Sequence, residues 1–163
     1  MKAIHRIALA MGLSLAATAA GAQVTVDNAW VRATVPGQHA TGAFMTLRSP
    51  TPARLVSAQS DIAATTEIHE MAMQGDVMRM RQINGLDLPA GQDVALKPGG
   101  YHLMLLDLKH QAQAGKQVAI SLVFDVGGKR QTVQVHAPIQ PLAGGAPQPH
   151  AGHGMPSHQQ GAR

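Results

Sequence analysis

No segment of the chain keeps apolar residues in helical step for three turns; its apolar runs are short and stop at glycine or proline. "VTVDNAWVRAT" and "TGAFMTLRS" are β-rich runs separated by "VPGQHA", which carries a Pro-Gly turn signal. "ARLVSAQS" follows, and then "TTEIHEMAM" and "DVMRMRQI" lie on either side of a turn at Gln74-Gly75. "LPAGQDVALKPGGYHLMLLDLK" holds two further runs broken by "PAG" and "KPGG", and "KQVAISLVFDV" and "KRQTVQVHAPI" flank Gly127-Gly128, a hairpin signal. Many short strands with regular turns specify an all-β domain, an antiparallel Greek-key sandwich or barrel. Only "AQSDIAATT" is suited to a brief helical turn, and no internal repeat of solenoid period is present.

The N-terminus sets the compartment. "MKAIHR" is a short basic start, "IALAMGLSLAATAA" an apolar run, and "AGAQ" places Ala20 and Ala22 at the small-residue positions of a signal-peptidase site. Residues 1–22 read as a secretory signal cleaved after Ala22, which sends the chain to a bacterial periplasm. No later stretch approaches about 18 consecutive apolar residues, so no stable membrane insertion is expected after cleavage. Residues 23–140 then form one β-domain. From Pro141 the composition turns to Pro, Gly, Ala, His and Gln, and residues 141–163 read as a disordered tail with little to bury.

Removing Lys2 and Arg6 with the signal takes the thirteen basic residues to eleven, against nine acidic ones. That near balance, without a basic run interleaved with aromatics, argues against a nucleic-acid partner. The chain has no cysteine. In an oxidising compartment the fold must therefore rest on its own core, and thiolate is removed from any metal chemistry.

What remains is an excess of thioether beside imidazole. "IHEMAMQGDVMRM", Ile68 to Met80, carries four methionines and a histidine, and "HLM" at His102 to Met104 follows. A turn centred on Gln74-Gly75 would set Met73 opposite Asp76, Met71 opposite Met78 and His69 opposite Met80, with Cβ atoms about 4.5–5.5 Å apart. His102 and Met104 are two apart on a strand and so share a face. Two imidazoles and two thioethers form a soft, neutral donor set that suits Cu(I), while zinc prefers Cys, His or carboxylate and a blue-copper centre needs a thiolate. Spacing alone leaves ligation and packing evenly matched. Met45 is read as core filler, His39, His110 and His136 as isolated histidines, and Met71, Met73 and Met78 as shield, transient ligands or packing.

His69, ten residues, Met80, twenty-one residues, His102, one residue and Met104, set within "HEM", "VMRMR" and "LPAGQDVALKPGGYHLMLLDLK", resembles the signature of the periplasmic copper chaperones of the PCuAC family. The resemblance runs from about Val24 to Pro138. It implies a cupredoxin-like β-barrel in which His69, Met80, His102 and Met104 bind one Cu(I) near the surface. It also implies delivery of copper to respiratory oxidase assembly, particularly the dinuclear copper centre of cytochrome c oxidase, beside a thioredoxin-like copper protein. The tail segment "HAGHGMPSH" places His150, His153, Met155 and His158 together, and some members of the family carry a similar extension. Imidazole-rich donors suit Cu(II), so these four are a candidate second site.

An enzyme would need an acid/base pair, an activated nucleophile or a redox metal. Glu67 and Glu70 flank His69 and are set aside as pointing to other faces, so no catalytic role is expected. The competing readings are a copper or zinc scavenger or store, and a β-sandwich interaction module without metal.

Overall fold

The computed structural model describes residues 23–142; the signal segment and the tail histidines fall outside them. Ten strands follow one another: β1 (Thr25–Arg32), β2 (Ala40–Arg48), β3 (Ala53–Ser60), β4 (Ala63–Gln74), β5 (Val77–Gln82), β6 (Leu86–Leu88), β7 (Asp93–Leu96), β8 (His102–Leu108), β9 (Gln117–Val126) and β10 (Lys129–Gln140). Their hydrogen-bonded order is β5-β4-β8-β2-β1-β10-β9-β3-β6, with β7 added to β2. The path ends at two free edges, β5 and β6, so the sheet does not close into a complete barrel. β1 and β10 pair in parallel over only two residue pairs, Val31–Ile139 and Arg32–Gln140, and every other strand pair is antiparallel.

One core cluster joins the two halves of this path: Ile68, Leu103, Leu105 and Leu47 from one side, Leu55, Val118, Leu122 and Phe124 from the other. Alternation assigns the faces. On β8, Leu103 and Leu105 are fully buried in the core, so His102 and Met104 stand on the opposite face of the sheet. Met45 is buried in the core, as its isolated position led us to expect.

β1 achieves the same sorting by an irregularity. The inward residues are Val24, just before the strand, and Val26 early, and Ala29 and Val31 late, so the apolar parity changes partway along. The register against β2 slips by one residue between Asp27 and Trp30, and Asn28 takes a left-handed φ of 52° there. Asn tolerates that conformation, and the bulge restores the pattern that an unbroken strand would violate. The consequence is that Trp30 pairs with Phe44 and shares the outer face with Arg32.

The segment "AQSDIAATT" is not helical, and no helix occurs among the described residues. The bend between β3 and β4 satisfies its donors differently: Ser60 Oγ accepts from the Ile62 N–H at 3.3 Å, and the Asp61 N–H donates to the Ala119 carbonyl at 3.2 Å. Ile62 and Ala63 enter the core directly.

The two faces of β8 should respond differently to truncation. Leu103→Ala is expected to cost about 2–5 kcal/mol through the cavity it leaves, whereas Met104→Ala, on the half-buried opposite face, should cost less than that range. Urea unfolding midpoints measure both, and equal losses would contradict the assignment of faces.

Candidate metal centre

The β4–β8 ladder places His69 directly opposite His102 and Glu67 opposite Met104. The two imidazole centroids are 5.7 Å apart. From His102 the ring row continues to Phe44 at 6.4 Å and from Phe44 to Trp30 at 4.5 Å, one ring on each of β4, β8, β2 and β1. Arg32 lies over Phe44, 5.5 Å from its centroid, close enough for a cation–π contact. Gly42, opposite Met104, makes room for this row: a Cβ there would meet Phe44 Cζ at 2.8 Å.

A cavity of about 270 Å³ opens beside the rings, lined by Met71, Met80, His102 and Met104 together with Phe44 and Arg32. His102 is buried, while Met80 is 49% exposed on edge strand β5. His69 stands beside the cavity rather than in its lining, with a side chain only 12% exposed.

Hydrogen bonds fix which ring atoms face a ligand. His102 Nδ1–H donates to the Gly100 carbonyl at 3.0 Å, which leaves Nε2 with a lone pair. That Nε2 lies 3.1 Å from Met80 Sδ. A thioether sulfur has no proton to give, so two lone-pair donors converge with nothing to share. The same carbonyl also accepts the Met71 N–H at 3.2 Å, tying the β4–β5 hairpin to the segment that orients His102. In His69 the roles are reversed: Nε2–H donates to Glu67 Oε2 at 2.7 Å, and the buried Nδ1 has no partner. A carboxylate or carbonyl on the far ring nitrogen is the arrangement that orients metal-ligating histidines. An orphaned buried imidazole nitrogen, a second imidazole lone pair and neighbouring thioethers fit a soft monovalent ion. No group of three or more His, Cys, Asp or Glu side chains suited to a harder ion occurs among the described residues.

The hairpin differs from the sequence-based register. The expected pairs were Met73–Asp76, Met71–Met78 and His69–Met80; the observed ones are Met73–Met78, Met71–Met80 and His69–Gln82. The turn is centred one residue later, on Gly75-Asp76, with Gly75 at φ 64° and no positive φ at Asp76. A two-residue loop with glycine in the first central position matches the strand twist as a type II′ turn, and that preference wins over a turn at Gln74-Gly75. Moving the turn by one residue moves the pairing by two, so every side chain keeps its face and Met80 becomes the diagonal neighbour of His69.

Glu67 is the residue the sequence reading misplaced. It is two residues from His69, hence on the same face, and the period-two rule that grouped His102 with Met104 would have found it. Glu70 does point away, pairing with Arg81 at 2.6 Å. His39, His110 and His136 are exposed and isolated from the cluster. A larger cavity of about 720 Å³ behind the hairpin holds Glu70, Arg81, Arg54 and Asp87, whose charges pair with one another and leave no soft donor.

The family model LpqE-like ("Putative lipoprotein LpqE-like") matches residues 24–139. "Putative lipoprotein Lxx21020" of Leifsonia xyli subsp. xyli (strain CTCB07) is 31% identical over 122 residues, covering 74% of this chain and 72% of the relative. The solution structure of CuI-DR1885 from Deinococcus radiodurans superposes with a TM-score of 0.59 at 32% identity, over 76% of this chain and 83% of that one. The apo PCuAC domain from PmoF1 gives 0.60 at 26% identity, over 73% and 94%. The copper-bound PCuAC domain from PmoF2 gives 0.60 over 73% and 93%, and at 22% identity it speaks to the fold alone.

The hydrogen bonds make a prediction for the metal-free protein. Long-range ¹H–¹⁵N correlation spectra should show neutral His102 as the Nδ1–H tautomer and neutral His69 as the Nε2–H tautomer. The same tautomer at both rings would contradict the proposed direction of the two lone pairs.

Proposed function

This chain belongs to the LpqE-like family and has the PCuAC fold, and from that premise we propose that it is a copper chaperone of the bacterial envelope that carries Cu(I) on His69, Met80, His102 and Met104. The observation that carries the reading is the convergence of His102 Nε2 and Met80 Sδ at 3.1 Å, with the other ring nitrogen already engaged. The partnerless Nδ1 of His69 supports it from the neighbouring strand. The Cu(I)-bound structure from Deinococcus radiodurans, 32% identical to this chain, supports the choice of metal.

The site is suited to holding cargo rather than converting it. Neutral imidazole and thioether donors can be displaced one at a time by an acceptor's ligands, and no thiolate is available to form a disulfide in an oxidising compartment. We assign the chain no catalytic role. The lipoprotein relative and family support an exported, envelope-associated protein, and we place it in the periplasm, with residues 1–22 as a cleaved signal and residues 23–140 as the copper-binding domain. No cysteine is present in the sequence to carry a lipid. The acceptor we propose is the dinuclear copper centre of cytochrome c oxidase during its assembly, alongside a thioredoxin-like copper protein. His150, His153, Met155 and His158, outside the described residues, are proposed as an auxiliary Cu(II) site within residues 141–163.

Competition titrations against a chromophoric Cu(I) chelator test the core site. Losing even a hydrogen-bond partner of a ligand typically costs 10–100-fold in metal affinity, so removing a ligand itself by His102→Ala or Met80→Leu should weaken Cu(I) binding by roughly tenfold or more. Zn(II) should bind the core far more weakly than Cu(I). Variants that keep the parent affinity would overturn the ligand assignment.

A further inference from the structure

The hairpin that supplies Met80 continues past the sheet. β4 pairs with β8 only as far as His69; from Glu70 to Gln74 its strand partner is β5 alone. Along this two-stranded ribbon the methionines form two rungs of direct cross-strand pairs, Met71–Met80 and then Met73–Met78. The register is unbroken, so both rungs lie on the face that carries His69, His102 and Met104. Successive rungs are two residues, about 7 Å, apart. The inner rung contributes to the cavity lining, and its Met80 reaches His102. The outer rung does neither.

Packing does not account for the outer rung. Met73 is 62% exposed and Met78 50% exposed, and neither belongs to the core or packs against it. Two unbranched apolar side chains held face to face in water gain little from burial, yet their Cβ atoms stand at the separation, about 4.5–5.5 Å, that lets two flexible thioethers reach one ion. Thioether pairs are soft, neutral and selective for Cu(I) over harder ions.

We propose that Met73 and Met78 form a second, outer Cu(I) site at the tip of the hairpin, from which the ion steps inward through Met71 and Met80 to the imidazoles. This rests on the Cu(I) reading of the core site. Each step is a ligand exchange: between the methionine rungs one Cu–S bond forms as another breaks, and at the last step Cu–N bonds to the imidazoles form as the Cu–S bond to Met71 breaks; the ion remains Cu(I), and no electron or proton is transferred. Because its donors are few and exposed, the outer pair holds the ion more weakly than the core and fills after it.

The test is an anaerobic titration of the full mature chain, labelled with ¹³C at the methionine methyls, with Cu(I) alone. The Met80 and Met104 methyls should move with the first equivalent and the Met73 and Met78 methyls with later ones. Met73→Leu should abolish the later shift at Met78, and Met78→Leu that at Met73. Met73 and Met78 methyls that stay in place through three equivalents, or a Met78 shift that survives Met73→Leu at the same concentration, would overturn the proposal. Failure of Met80 and Met104 to move at the first equivalent would instead count against the core site, so the two readings fail separately.

Discussion

The structure around the site depends on one strand pairing, that of β4 with β8. It sets His69 against His102 and Glu67 against Met104 in a single register, so two imidazoles and a thioether stand on adjacent strands without help from any loop. Behind them Ile68 and Leu103 are buried in the core, which holds the ladder in place. A one-residue slip of either strand would turn its imidazole inward and its buried aliphatic neighbour outward, so the hydrophobic core itself enforces the geometry of this face.

Retention and release are divided between rigid and yielding parts. His102 is buried, fixed by the Gly100 carbonyl, and set in a row with Phe44 and Trp30. Met80 comes from β5, a strand exposed at all six of its positions and lying at the edge of the sheet. In the proposed chaperone the imidazoles therefore keep the ion while a thioether on the edge hairpin is the ligand an acceptor can displace first. Glu67 adds a carboxylate beside a cluster that otherwise has no charge of its own to set against the ion's. The exposure that permits release also leaves Met73, Met78 and Met80 open to sulfoxide formation, which would replace a soft donor with a polar oxygen-bearing group.

Much of this was legible in the sequence because period-two alternation is local. The face shared by His102 and Met104, the core role of Met45, and the hairpin about Gly127-Gly128 follow from short-range pattern and turn chemistry, as does the all-β class. The bulge at Asn28 was not expected, although Val24 and Val26 fall out of step with Val31. The hairpin register was misjudged because the choice between turns at Gln74-Gly75 and Gly75-Asp76 rests on backbone twist, and glycine serves in either position. The neighbours of β8 were not legible at all. That β4 and β2 flank it is a matter of long-range packing, and only those neighbours reveal that His69 faces His102 and that Phe44 backs His102.

The central claim is that this face of the sheet binds a monovalent soft ion through both nitrogen and sulfur. X-ray absorption at the copper edge, on the mature chain loaded with one equivalent of Cu(I), reads that donor set directly. The account predicts a mixed first shell of imidazole nitrogen and thioether sulfur, two of each, with sulfur scattering reduced in Met80→Leu. A shell of nitrogen and oxygen alone, or one unchanged by that substitution, would contradict it.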